Sequence, residues 1–115
     1  MTRRRFSKRY ERYGMSEAHL ALIRQLPSCI SGGMPCQAHH LMIASERGVG
    51  LRARDMWAVP LTNDEHRQLH NRGSKFHDQW FQERGLSDPR KIASLLWDNT
   101  GDLDKMRAVI EVNRP

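Results

Sequence analysis

Between Trp57 and Gly73 the sequence runs strand, helix cap, helix and helix stop without interruption, and this join constrains the fold more than any other stretch. Trp57-Ala58-Val59-Pro60-Leu61 is apolar and reads as a strand, with Pro60 confining it to an edge or a terminus. Thr62-Asn63-Asp64-Glu65 has the residues of a capping box, in which the threonine hydroxyl and the glutamate carboxylate each bind the other's backbone N–H. A helix from Asn63 to about Arg72 is predicted, ended by Gly73. Upstream, Gln37-Ala38-His39-His40-Leu41-Met42 predicts an earlier strand. The intervening residues 44–54 hold Gly48, Gly50 and several charges, the composition of a surface loop. The expected order is strand, long loop, strand, helix.

The flanking segments add helices. Ser16 can cap one running to about Gln25, with Leu20, Ile23 and Leu26 on one face and Pro27 as stop. Gly32, Gly33 and Pro35 place a turn between two short extended pieces within residues 28–36. After Gly73 a helix over about 74–84 would turn Phe76, Trp80 and Phe81 inward, and Gly85 would stop it. Asp88-Pro89 opens another, burying Ile92, Leu95, Leu96 and Trp97 and ending near Gly101. A last helix over 103–112 carries Leu103, Met106, Val109 and Ile110 at helical spacing. The predicted class is α+β and mostly helical. A chain of 115 residues has room for one core, so a single domain over 15–115 is expected, with a motif at 28–73 and a helical extension at 74–115.

Charge points to a polyanionic partner. The formal net charge is +6, and the first twelve residues hold six basic groups against Glu11, a net of +5. This arm, residues 1–14, reads equally as a solvated tail or as a phosphate-contacting segment, with Arg3, Arg4 and Arg5 foremost. No apolar run reaches the ~20 residues of a membrane span, and no apolar segment follows the basic start as a secretory signal requires. Two cysteines, Cys29 and Cys36, make no disulfide framework, so a cytoplasmic protein is expected.

Histidine supplies the chemistry. His66 and His70 stand one turn apart on the capped helix, so their rings point the same way and could share a cation, although a pair so placed on an exposed helix is more often just two surface residues. His39 and His40 are neighbours on a strand, where successive side chains face opposite sides. Hydrolysis of a phosphodiester with metal assistance needs two separate jobs: holding a cation against the developing charge, and taking a proton from water. Imidazole suits both, with an ordinary pKa of about 6.5. A doublet facing a helix that carries His-x3-His could divide those jobs.

Ala38-His39-His40-Leu41, a glycine-containing loop, Trp57-Ala58-Val59-Pro60-Leu61 and Asp64-Glu65-His66-Arg67-Gln68-Leu69-His70 together resemble the HNH endonucleases of the ββα-metal (His-Me finger) superfamily. The likeness covers about residues 28–80 and is greatest to the small phage and prophage branch, where a similar segment leads through a glycine to a tryptophan-bearing helix, as Gly73 and Trp80 do here. It implies a two-stranded antiparallel hairpin plus helix with flanking helices, and DNA as substrate, including single-stranded, recombination or packaging intermediates. It makes His40 the general base and His39, His66 and His70 ligands of one divalent cation (Mg, Mn, Ni or Zn). The family's middle position, often asparagine, orients the base; Asp55, just before the second strand, is placed in that role, although a direct count falls nearer Trp57. For a phage-encoded member the location would be the cytoplasm of a bacterial host.

The cysteine pairs that bind a structural zinc in many members are missing: Thr62 and Glu65 occupy the later positions, and Cys29 and Cys36 are too far apart in sequence. No structural zinc is expected, and both cysteines read as small buried hydrophobes. Arg67 and Arg72 join the amino-terminal arginines as candidate nucleic-acid contacts. His77 reads as a partly exposed helix-surface residue, His19 receives no role, and Trp57, Trp80 and Trp97 read as core. Two competing readings stand beside the nuclease: a non-catalytic zinc-binding adaptor with Cys29, Cys36, His39 and His40 in a closed site, and a degenerate nuclease retained for binding.

Overall fold

The computed structural model describes residues 14–43 and 54–115, so most of the expected 44–54 loop and the arm with Arg3, Arg4 and Arg5 lie outside the described residues. The architecture is α+β: α1 (Glu17–Ile23), β1 (Cys36–His40), β2 (Ala58–Thr62), α2 (Asn63–Arg72), α3 (His77–Glu83), α4 (Pro89–Asp98) and α5 (Leu103–Asn113). Single 3-10 turns at Asp55–Trp57 and Ser74–Phe76 precede β2 and α3.

The two strands pair antiparallel, with His39 opposite Val59 and His40 opposite Ala58. Pro60 has no N–H to donate, but its carbonyl accepts from Cys29 N–H at 3.0 Å along the outer edge of β2. The earlier half of the 28–36 segment is not extended as expected. It folds on itself through Ser28 N–H to Gly33 O at 2.9 Å and Gly32 N–H to Ser28 O at 3.0 Å, so a turn leads straight into β1. Trp57 is likewise not in the strand; it closes the 3-10 turn before it.

The capping box forms as its residues predict. Glu65 N–H donates to Thr62 Oγ1 at 3.2 Å, and Thr62 N–H donates to Glu65 Oε1 at 2.9 Å. Ser28 Oγ also donates to that oxygen at 2.6 Å, which ties the helix start to the loop before β1. Gly73 ends α2 at φ 95°, a conformation that favours glycine.

Helices pack against the hairpin: α1 and α2 each contact both strands, and α4 contacts β2. All but the last residue of β2 is buried for this reason, and its apolar run lacks the alternation of a half-exposed strand. Ile23, Leu26, Leu41, Val59, Leu61, Trp80, Phe81, Ile92, Leu96, Met106 and Ile110 form the centre of the core.

The phase of the carboxy-terminal helices differs from the expectation in two places. Ala93 is buried in α4 beside Ile92 and Leu96, while Leu95 and Trp97 are only half-buried. In α3 the inward residues are His77, Trp80 and Phe81, and Phe76 is 38% exposed under Arg72 and Lys75. The tight turn at Ser74–Phe76 resets the helix, so the apolar stripe begins one residue later than an unbroken helix would place it. Trp80 is core, Trp57 is half-buried against it, and both cysteines are buried and unpaired as expected.

Candidate active site

Strand alternation separates the two neighbouring histidines as the sequence requires. His39 is buried and turns toward α2 and α3. His40 turns the other way, toward the 3-10 turn before β2, where its Nε2 lies 2.9 Å from Asp55 Oδ1. The other oxygen of Asp55 accepts from Ser16 N–H at 2.9 Å, so the carboxylate is held from two directions. A carboxylate oxygen can only accept, which places a hydrogen on His40 Nε2, so that in the neutral ring the lone pair lies on Nδ1.

On the other side, His39 meets two further histidine-bearing elements. Its ring centroid lies 5.3 Å from that of His66, and His66 lies 4.4 Å from His70, one turn along α2. Its Nε2 lies 3.1 Å from Nε2 of His77, at the start of α3. His77 is 4% exposed, which overturns its reading as a partly exposed surface residue. Its other ring nitrogen, Nδ1, lies 2.9 Å from Asp78 Oδ1. That oxygen also accepts from Arg90 at 2.9 Å, and Arg90 donates again to the Met42 carbonyl just beyond β1.

A cavity of about 510 Å³ opens onto these groups, lined by His39, His40, His66, His70 and His77. The expected base and ligands therefore share one opening, with His77 added.

Electrostatics keep His39, His66 and His77 uncharged at neutral pH. Burial, reinforced by the neighbouring histidines, pushes His39 down to about 3. Burial and His70 lower His66, and burial lowers His77 against the opposing pull of Asp78. Asp78 itself is held low by its bonds to His77 and Arg90, which outweigh its partial burial. Neutral imidazole is the form that binds a metal. Among the described residues, however, no three His, Cys, Asp or Glu side chains converge closely enough to hold an ion as they stand. The donor chemistry fits a cation, and the fit is by pairs: the 3.1 Å between His39 and His77 is close to the ~3.3 Å separating two nitrogens about 2.05 Å from one tetrahedral ion.

Other candidates lie apart from this cluster. Cys36 and His40 occupy opposite ends of β1, ~13 Å apart at strand rise, so the strand does not bring the cysteine end and the histidine doublet together. Burial, then the Glu65 charge, raises both thiols, with Cys36 pushed up to about 12, so both stay protonated at neutral pH. Arg67 is exposed and pairs with Asp64 at 2.5 Å; Arg72 pairs with Glu83 at 2.8 Å. His19, given no role from sequence, is fully buried, with Nδ1 2.7 Å from Thr100 Oγ1 and its ring edge-on to Trp97. Nothing in the local sequence could have found that pair, because its members lie at opposite ends of the chain. His77 did carry a signal, the carboxylate that follows it, which is the usual partner of a positioned imidazole.

No helix among the described residues is long and apolar enough to cross a membrane. No curated protein and no solved structure matches the chain. A family model described as "Protein of unknown function (DUF968)" matches residues 5–86, a span that takes in the hairpin, α2 and every histidine lining the cavity. By that match the chain belongs to the DUF968 family.

Proposed function

We propose that this protein is a metal-dependent endonuclease of the HNH type, and that β1, β2 and α2 are its ββα-metal motif. The observation that carries the reading is the division of the histidine doublet: His40 is engaged by Asp55 at 2.9 Å, while His39 turns into a nest of neutral imidazoles. His40 then acts as general base, because Asp55 fixes its ring and leaves Nδ1 to take a proton from water. His39, His66 and His70 would hold the cation. A bound divalent cation would supply charge stabilisation at the phosphate and the leaving oxygen. The net charge of +6 favours a nucleic-acid substrate, and DNA is the one proposed.

The test is incubation of the purified chain with supercoiled and single-stranded DNA in magnesium, manganese, nickel and zinc, with His40→Ala alongside. Cation-dependent cutting is expected, abolished by chelation and reduced about 10²–10⁴-fold in His40→Ala, the usual contribution of a general base. A folded protein that leaves both DNA forms intact with all four cations would refute the reading, as would full activity in His40→Ala.

A further inference from the structure

We infer that His77 is a further ligand of the metal site, an imidazole aimed by Asp78 and Arg90, and that the completed set selects a transition-metal cation over magnesium. The inference rests on the nuclease reading of the same site, and it extends the ligand set to an element outside the hairpin and α2.

The argument runs through the hydrogens. Asp78 Oδ1 sits 2.9 Å from His77 Nδ1 and also accepts from Arg90, so it is a carboxylate and the hydrogen lies on Nδ1. The lone pair of His77 is therefore on Nε2, the atom 3.1 Å from His39 Nε2. Two nitrogens so close, buried and facing each other, must share something. In the metal-free chain it is the hydrogen on His39 Nε2, which His77 accepts. With a cation in its place, the two nitrogens need move apart by only a few tenths of an ångström. His39 stays neutral when its hydrogen passes to Nδ1, so the exchange of hydrogen for cation needs no net loss of a proton from the pair.

The support behind His77 is that of a ligand. A carboxylate on the far ring nitrogen fixes the tautomer and raises ligand basicity. Arg90 fixes that carboxylate in turn, and its second bond, to the Met42 carbonyl, ties α4 to the end of the strand that carries His39. His39 and His77 are thus held in mutual register by one arginine. His77 has both nitrogens engaged, one on a braced carboxylate and one on a proposed ligand.

The donor set also sets the metal. His39, His66, His70 and His77 offer nitrogen alone, which suits zinc, nickel and cobalt(II), while magnesium takes oxygen donors. Nitrogen donors from four side chains would fill a tetrahedral ion, so substrate or water would enter by expanding its coordination.

The test uses the full chain, metal-free, with histidine side chains labelled with nitrogen-15. On saturation with zinc, the Nε2 resonance of His77 is expected to move together with those of His39, while its Nδ1–H persists. Cobalt(II) titration gives the affinity from the visible bands. His77→Gln is expected to weaken cobalt binding about 10–100-fold and to alter those bands; Asp78→Asn, a change at a partly exposed side chain, is expected to weaken it about 10-fold. Magnesium is expected to leave the resonances unmoved. If His39 responds to zinc and His77 does not, or if His77→Gln folds and binds cobalt as the parent does, the inference fails and the nuclease reading stands. If His77→Gln does not fold, the labelled parent and Asp78→Asn decide. A chain that binds none of these cations would remove the inference and the nuclease reading together.

Discussion

Acid should unfold the metal-free chain earlier than its carboxylates alone would dictate, and His39 sets the size of the effect. Burial and surrounding histidines lower its folded value to about 3, against about 6.5 in an unfolded chain. Below the unfolded value the unfolded chain takes up a proton that the folded chain refuses, so stability falls with pH across the window from about 6.5 to about 3. Above that window the ring is neutral in both states and contributes nothing to the pH dependence. Between pH 7.5 and 5, where carboxylate protonation is still minor, this one ring should remove about 2 kcal/mol. For a domain of this size that is roughly 5–10 °C in Tm. His66 and His77, also lowered, steepen the fall. Urea unfolding in the presence of a chelator, at half-unit steps from pH 7.5 to 5, measures it directly. His39→Gln should flatten the profile while leaving the remaining slope from the other two rings. Equal stability at both ends of the range, or an unchanged slope in His39→Gln, would show that the ring is not buried among its neighbours as described.

Asp55→Asn should lower the rate of DNA cutting about 10–100-fold with cobalt affinity unchanged, because it alters what orients His40 and not what holds the cation. Equal losses in both would place Asp55 in the metal site instead. Glu65→Ala removes the acceptor for Thr62 N–H and Ser28 Oγ and should cost about 1–2 kcal/mol in urea unfolding. The DNA-cutting rate, measured well below the unfolding midpoint, should not change.

The elements that local chemistry dictates were legible in the sequence. The Thr62–Glu65 box, Gly73 and the apolar run before them define β2 and α2 to within a residue, because each signal acts over three or four positions. The doublet's two-sidedness followed from the period of a strand. What was not legible depended on contacts between distant segments or on a shift of phase. His77 was misread because a helix assumed to start at Ser74 turns Phe76 inward, and the 3-10 turn rotates that stripe onto His77. Trp97 fell outside the innermost core because α4 turns Ala93 toward the hairpin side, and a small residue there allows close approach. Asp55 could be placed by sequence only through the resemblance. Its contact with His40 depends on the turn at Asp55–Trp57, which no cap or glycine announces.

On the proposed nuclease reading, the two oxygens of Asp55 give the amino-terminal helix a stake in catalysis. One oxygen receives the backbone of Ser16, at the entrance to α1, and the next turn of chain is pinned as well, Met56 N–H meeting the Gly14 carbonyl at 2.9 Å. Trimming that removes Gly14 or Ser16 would therefore disturb this geometry. A cut beyond Ser16 would keep the cavity's histidines in the chain and yet remove one hold on the carboxylate, so on the nuclease reading such a shortened protein should keep its cation and lose part of its pace.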